Sequence, residues 1–372
     1  MRRLALLCLA TSCCAAGPAV AAPPRVEAHA WLVEDATSRE VLAQHDAAAR
    51  VPIASITKLM TVLVALQHHK LDDVVTVDPE VTSVGQESVG LEAGEEISVR
   101  DLVKAALIQS ANDAADALAL SVAPSFSSFA RLMNANARAL GLRDTNFVRP
   151  DGLDAPDEYS SARDVTHLAL VAMRNPVVRE TVGESTDVIS GGRTLHTWND
   201  LLGVFPGVIG VKTGHTGLAG WSQVAAVRER GLTIYATILG SPSRVQRNAD
   251  LERLLRYGLE QYRVVSAISP MRVYARVRLP YGKRSLPLVA RTPQLDLVRL
   301  GRPLTERVLA PAVAALPLRR GEPLGRVEVW AGDRLLGSRA LVAARSVARP
   351  GAIGRIGWYA TRTVHHVLAF FR

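Results

Sequence analysis

The sequence predicts an α/β fold: a first domain with an antiparallel sheet flanked by helices, then a small all-β domain and a C-terminal amphipathic helix. Three patterns carry that expectation. Helical apolar runs give way to strand-like segments between residues 208 and 239, a period-two alternation begins at residue 271, and a period-3.6 pattern closes the chain. At 372 residues the chain is long enough to bury a large core and to form two domains. With 48% hydrophobic and 21% charged residues it is neither disordered nor fibrous.

The N-terminus opens Met1-Arg2-Arg3, runs apolar from Leu4 to Leu9 and reaches small residues at Ala19-Val20-Ala21, so residues 1–21 are expected to be a secretory signal peptide. Its apolar run is well short of the roughly 20 residues a membrane span needs. The lipoprotein alternative is weaker, because Ala10-Thr11-Ser12 before Cys13 lacks the leucine expected upstream of a lipidated cysteine. Cys8, Cys13 and Cys14 are the only cysteines, so the exported protein would have none. That excludes thiol catalysis and cysteine-held metal, and neither a metal nor a cofactor is expected.

The first domain is placed at residues 26–262. His29 to Val33 reads as a strand that Val41 to Ala43 could pair with, and Ile53 to Leu66, apolar on nearly all sides, as a buried helix. Ser98 and Asp101 resemble a capping box opening a helix that ends before Ser110, and Asn112 with Asp113 could cap another through Leu120. Strands follow at 208–212, 222–227 and 232–239, with a turn at Glu229-Arg230-Gly231, and Leu251 to Tyr262 returns to helical spacing.

The β-rich domain, 263–347, is read from the alternation of Met271, Val273, Ala275, Val277 and Leu279 with Arg272, Tyr274, Arg276 and Arg278. Further strands are expected at 287–290, 295–300, 327–330 and 335–342. In 350–372, Ile353, Ile356, Ala360, Val364, Val367, Leu368 and Phe371 share one helical face opposite Arg355, Arg362, His365 and His366. A spanning helix would not tolerate those polar groups, so the segment is expected to lie in a membrane surface, with docking on its own domain as the alternative. Charge agrees: residues 1–262 carry a net −6 and residues 263–372 a net +15. Such a patch attracts polyanions. An exported chain without a nucleic-acid motif favours anionic lipid over nucleic acid.

Three short signatures carry the chemistry: Ser55-Ile56-Thr57-Lys58, Ser110-Ala111-Asn112 and Lys212-Thr213-Gly214. The chain has 39 arginines and five lysines, two of them here. An amine can be tuned to lose its proton, whereas a guanidinium stays charged, which points Lys58 and Lys212 to acid-base work. On a helix Ser55 and Lys58 are neighbours at i and i+3, and a neutral Lys58 could take the Ser55 proton. Burial and a second cation, Lys212, would lower the Lys58 pKa. Ser110 could relay a proton and Asn112 hold a peptide bond, although both also suit helix caps. Lys212 and Thr213 would suit a substrate carboxylate, with Gly214 allowing close approach, although a solvent-facing strand end would look the same.

Together with Pro52 to Thr61, Gln109 to Ala115, Gly152 to Pro156 and Lys212 to Thr216, the signatures make the chain resemble the penicillin-binding D-alanyl-D-alanine carboxypeptidases, low-molecular-weight serine enzymes of the bacterial periplasm. The resemblance is strong over residues 26–262 and looser beyond. It implies a serine β-lactamase/transpeptidase-like fold and an acyl-enzyme on Ser55, with Lys58 as base and Ser110 with Lys212 passing a proton to departing D-alanine. It further implies that Asn112 orients the peptide, Lys212 and Thr213 bind the terminal carboxylate, and the Ser55 and His215 amides form the oxyanion hole beside Gly214. Implied partners are peptidoglycan stem peptides, β-lactams and an anionic membrane surface, at the periplasmic face of the inner membrane. Arg149-Pro150-Asp151-Gly152 departs from relatives that often carry asparagine and histidine there, which bears on loop detail and substrate preference. A class A β-lactamase is disfavoured because no Glu-x-x-Leu-Asn lies between Asn112 and Lys212. A peptidoglycan DD-endopeptidase and a non-catalytic wall-binding scaffold are the remaining alternatives.

Overall fold

The computed structural model describes residues 22–83, 86–281 and 284–370, so the expected signal peptide lies outside the described residues. The chain separates into two compact units, one of residues 21–260 and one containing residues 261–372.

The first unit is built on an antiparallel sheet of β1 (Ala30–Asp35), β2 (Glu40–His45), β7 (Val208–Thr216), β8 (Gly220–Glu229) and β9 (Leu232–Ser241), in the order β2-β1-β9-β8-β7. Short hairpins β3 (Val74–Thr76) with β4 (Glu96–Ser98), and β5 (Thr186–Ile189) with β6 (Arg193–His196), lie in the loops. Every residue of β1 is buried, the pattern of a strand covered on both faces. Two helices supply the cover. Thr166 of α5 (Ala162–Ala172) bonds Thr237 of β9, while Gly258 of α7 (Arg244–Glu260) faces Ile234 and Val33. Thr237 and Ile234 are an odd number of residues apart, so they point to opposite faces.

The helical part of this unit surrounds α1 (Lys58–His68), in which Leu59, Met60, Val62, Val64 and Ala65 are all buried. Removing each larger side chain from water contributes on the order of 1.5–3 kcal/mol, which makes α1 a rigid platform. Around it stand α2 (Val99–Lys104), α3 (Asn112–Val122) and α4 (Phe126–Ala139), with α6 (Pro176–Thr181) further along. The helix expected from Leu251 starts earlier, at Arg244, because its first turns carry polar residues that conceal the apolar period.

The second unit pairs β10 (Tyr262–Ile268) with β13 (Gln294–Arg299). A five-stranded sheet runs β11-β12-β16-β15-β14, from β11 (Val273–Val277), β12 (Leu286–Ala290), β14 (Leu304–Leu309), β15 (Pro323–Ala331) and β16 (Arg334–Ala343). The expected alternation holds only at its end: Val277 and Leu279 are buried, whereas Met271 and Val273 are exposed and the β11 pairing is irregular between Val273 and Ala275; Val277, Leu286, Leu288, Val327, Val329 and Leu341 lie in the core. The chain closes with α8 (Ala352–Phe370).

Candidate active site

Ser55 lies in a 3₁₀ turn, Ala54–Thr57, that runs straight into α1. The α-helix expected over residues 53–66 therefore begins as a tighter turn, and the change matters chemically. Residues i and i+3 eclipse in a 3₁₀ helix, which sets Lys58 directly behind Ser55. Lys58 Nζ stands 2.7 Å from Ser55 Oγ, 2.6 Å from Asn112 Oδ1 and 2.6 Å from the Asp151 carbonyl oxygen. Two of these partners only accept. A neutral amine would donate one N–H to each and keep its lone pair for the Ser55 O–H; an ammonium would donate to all three. The same cage thus fits both states of a base.

Burial pushes the fully buried Lys58 down to about 8, against carboxylates led by Asp151 and Asp116 that pull the other way. Desolvation, rather than a second cation, does the lowering expected of Lys212. The influence runs in reverse: Lys212, also buried, is held well below the ordinary lysine value first by desolvation and then by the charge of Lys58.

Ser110 ends a π-helical turn, Ala105–Gln109, with φ 67° in the left-handed region, and this break turns its hydroxyl toward Lys212. Lys212 Nζ donates to Ser110 Oγ at 2.8 Å and to the Thr213 carbonyl at 3.0 Å. Asn112 and Asp113 open α3, but neither caps it; the N-cap position is Ala111, without a side-chain bond. The Asn112 amide is drawn to Lys58 instead. Asp113 turns to the 88–91 loop, accepting from Ser88 Oγ at 2.5 Å and from the Val89 and Leu91 amides at 3.1 Å.

Lys212, Thr213, Gly214 and His215 lie on β7, an edge strand of the sheet, which continues past the expected end at residue 212 to Thr216. A Cβ on Gly214 would sit 2.6 Å from the Ile53 carbonyl oxygen and 3.2 Å from the Ser55 nitrogen. Glycine therefore lets the edge strand lie against the backbone of the nucleophile turn. The His215 ring is exposed and stacks on Trp221 with 3.9 Å between centroids.

A cavity of about 390 Å³ opens over these groups, lined by Ser55, Ser110, Thr213, Gly214 and His215. Lys58, Asn112 and Lys212 are buried and join it through their hydrogen bonds. The cavity also gathers residues the sequence reading missed: Gln86, Glu87, Trp198, Trp221 and Arg247. Arg247, on α7, is 1% exposed, donates to Asp200 at 3.1 Å and to Asn248 Oδ1 at 2.7 Å, and lies over the Trp221 ring. Burial lowers it to about 10. One arginine among 39 carries no local signal, and only the fold brings it to the serine.

Beneath Lys58 is a second buried layer. Arg149 donates twice to Asp151, at 3.0 and 2.6 Å, so the unusual Arg149-Pro150-Asp151 stretch forms an ion pair whose Asp151 carbonyl accepts from Lys58. Glu158, pushed up to about 7 mainly by burial, accepts from the Val148 and Arg149 amides and from Thr57. Asp116 is fully buried with neither oxygen hydrogen-bonded among the described residues, and burial, then the charge of Asp151, raise it to about 8.

A serine hydroxyl on a buried, tunable amine, with a second serine-lysine pair across the same cavity, is the constellation of an acyl-transferring serine enzyme. Comparison with known proteins agrees. Residues 18–243 match the family described as D-alanyl-D-alanine carboxypeptidase, to which the chain belongs. It is 31% identical to D-alanyl-D-alanine carboxypeptidase DacC of Escherichia coli over 358 residues, 90% of this chain and 87% of that protein. It superposes on penicillin-binding protein 5 of Haemophilus influenzae with a TM-score of 0.65 at 25% identity, covering 88% of this chain and all of that one. Penicillin-binding protein D2 of Listeria monocytogenes, solved in an ampicillin-bound form, matches at 30% identity and a TM-score of 0.58 over 63% of this chain and 98% of that one. The transpeptidase-like fold expected from the resemblance is thereby borne out.

Proposed function

We propose that this protein is a serine D-Ala-D-Ala carboxypeptidase that removes the terminal D-alanine of peptidoglycan stem peptides, with Ser55 as nucleophile and Lys58 as its base. The observation that carries the assignment of roles is the cage around Lys58 Nζ: two pure acceptors and one hydroxyl, all within 2.7 Å. Ser55 Oγ bonds to the carbonyl carbon between the two D-alanines as its proton passes to Lys58. When the C–N bond breaks, the leaving nitrogen takes a proton through Ser110, which Lys212 holds at 2.8 Å. Asn112 orients the acyl-side peptide. Thr213 and Lys212 bind the terminal carboxylate, joined by Arg247, whose burial beside the cavity supports that role. A carboxylate arriving there favours the charged form of Lys212. The Ser55 and His215 amides form the oxyanion hole, a reading supported by the close approach of Gly214 to Ser55. Water then cleaves the ester, and a β-lactam, entering as a mimic of the D-Ala-D-Ala end, leaves a slower ester on Ser55.

Residues 26–262 would form the catalytic domain and 263–347 a β-rich domain, behind a signal peptide at 1–21. The 350–372 helix would anchor the enzyme to the periplasmic face of the bacterial inner membrane through anionic lipid. Ile353, Ile356 and Tyr359 are 89%, 70% and 58% exposed on α8, and no described helix is long and apolar enough to cross a membrane. The deciding assay is D-alanine release from a stem pentapeptide. Release of one D-alanine per peptide supports the proposal; an untouched pentapeptide in the presence of folded protein defeats it.

A further inference from the structure

The cavity carries charges of both signs. Arg247 lines it and Lys212 joins it through Ser110, while Glu87 is the single acidic residue of its lining. Two contacts fix where Glu87 sits. Its backbone carbonyl oxygen accepts from the Asn112 backbone N–H at 2.7 Å, which puts its main chain beside the residue proposed to hold the acyl-side peptide. Its carboxylate accepts from Trp198 Nε1 at 3.2 Å through Oε2, which orients the group and leaves Oε1 without a hydrogen bond among the described residues. No Lys, Arg or His forms an ion pair with Glu87 among those residues. The carboxylate, a negative charge on the cavity wall, is exposed and bears no cost of burial. That charge is felt inside the site, where it favours the protonated form of both Lys58 and Lys212.

An oriented, unpaired carboxylate on the wall of a substrate cavity is a binding group waiting for a cation. We propose that Glu87 is a specificity residue that binds the positively charged side chain of the residue preceding D-Ala-D-Ala, an inference that rests on the carboxypeptidase reading above. The preferred substrate is then a dipolar peptide, with an amine reaching Glu87 at one end and the terminal carboxylate at Lys212, Thr213 and Arg247 at the other.

The test compares D-alanine release from Nα-acetyl-L-lysyl-D-alanyl-D-alanine, whose ε-amine is free, with release from its Nε-acetylated analogue. For the wild type the ratio of kcat/KM should favour the free amine by about five-fold, the size of one solvent-exposed ion pair, and should shrink toward one in high salt. The preference should lie in KM rather than kcat, because the amine is as far from Glu87 in the transition state as in the bound peptide. Glu87→Gln keeps an acceptor for Trp198 and removes only charge, so its ratio should fall to about one; Glu87→Lys should invert it. A wild-type ratio of one or less, or a Glu87→Gln variant that keeps the full preference, overturns the proposal, and the wild-type measurement decides even if a variant fails to fold. If both peptides are cleaved equally, only the role of Glu87 falls. If neither is cleaved, the carboxypeptidase reading falls first and takes the proposal with it.

Discussion

The sharpest consequence of the Lys58 cage is a pH profile. Acylation needs the neutral amine, and burial brings Lys58 to about 8, far below the ordinary lysine value of 10.5. At pH 7 roughly one molecule in ten then carries a ready base, and at pH 6 roughly one in a hundred. The rate of acylation should therefore climb about tenfold per pH unit below 7, bend near 8 and level above 9. The readout is the second-order rate of labelling by a fluorescent penicillin in excess, which isolates acylation from deacylation. Lys58→Arg places a permanently charged group at the same point; it should cut the rate by about a thousandfold above pH 9 and leave what remains flat with pH. A flat profile, or a bend near 10.5, would refute the reasoning, because an amine with ordinary solvation cannot be the base this cage implies.

Three further outcomes follow from particular contacts. Gly214→Ala puts a methyl 2.6 Å from the Ile53 carbonyl oxygen and must push β7 off the nucleophile turn; acylation should fall by about a hundredfold in stopped-flow labelling, while wild-type rates would show that the strand is free to shift. Asp116, raised to about 8 when folded, ionises near 4 when unfolded, so wild-type stability should fall as pH rises from 4 to 8. Asp116→Val should reduce that slope, leaving the part that Glu158 supplies below pH 7, and stabilise the protein at pH 7 by about 1–4 kcal/mol in a denaturant titration; a loss of stability would reveal a partner for the carboxylate. Deleting residues 353–372 should release the protein from anionic vesicles in a flotation assay while D-alanine release in solution persists, and continued flotation would count against the helix as the anchor.

Much of the site was legible because its chemistry is written in short local signatures. Ser55 and Lys58 are separated by one turn, so any helical geometry brings them together, and the 3₁₀ turn only tightens the pairing. Ser110, Asn112, Lys212 and Thr213 were recognisable from their order along the chain, yet nothing in the order shows that Lys212 bonds Ser110 or that Asn112 bonds Lys58. Those contacts depend on β7 lying against the nucleophile turn, a long-range event. Glu87, Trp198, Trp221 and Arg247 come from a loop, a second loop, a neighbouring strand and a distant helix, and each alone reads as ordinary surface or core.

The fold shows the same division. The strands from 208 to 239 and the inward Val277 and Leu279 could be read because hydrophobic period is local, whereas Met271 and Val273, expected on the same face, are exposed. The helix α5 also had a readable start, since Ser161 accepts from the Asp164 amide and Val165, Leu168, Ala169 and Ala172 are buried behind it, but it was passed over. By contrast, β10 follows α7 after a single residue and pairs with β13, which no local signal announces. The tuning of Lys58 was expected from burial and a neighbouring cation together; burial does the lowering, and the nearby charges that act on Lys58 are carboxylates that oppose it.

The central claim is that one hydroxyl carries the acyl group. Incubating the protein with benzylpenicillin, then measuring intact mass and mapping the adduct by peptide fragmentation, tests it most directly. The account predicts a single adduct of the mass of the drug, on Ser55 alone, and none on Ser55→Ala. An adduct that persists in Ser55→Ala, or that maps to Ser110 in the wild type, would contradict it.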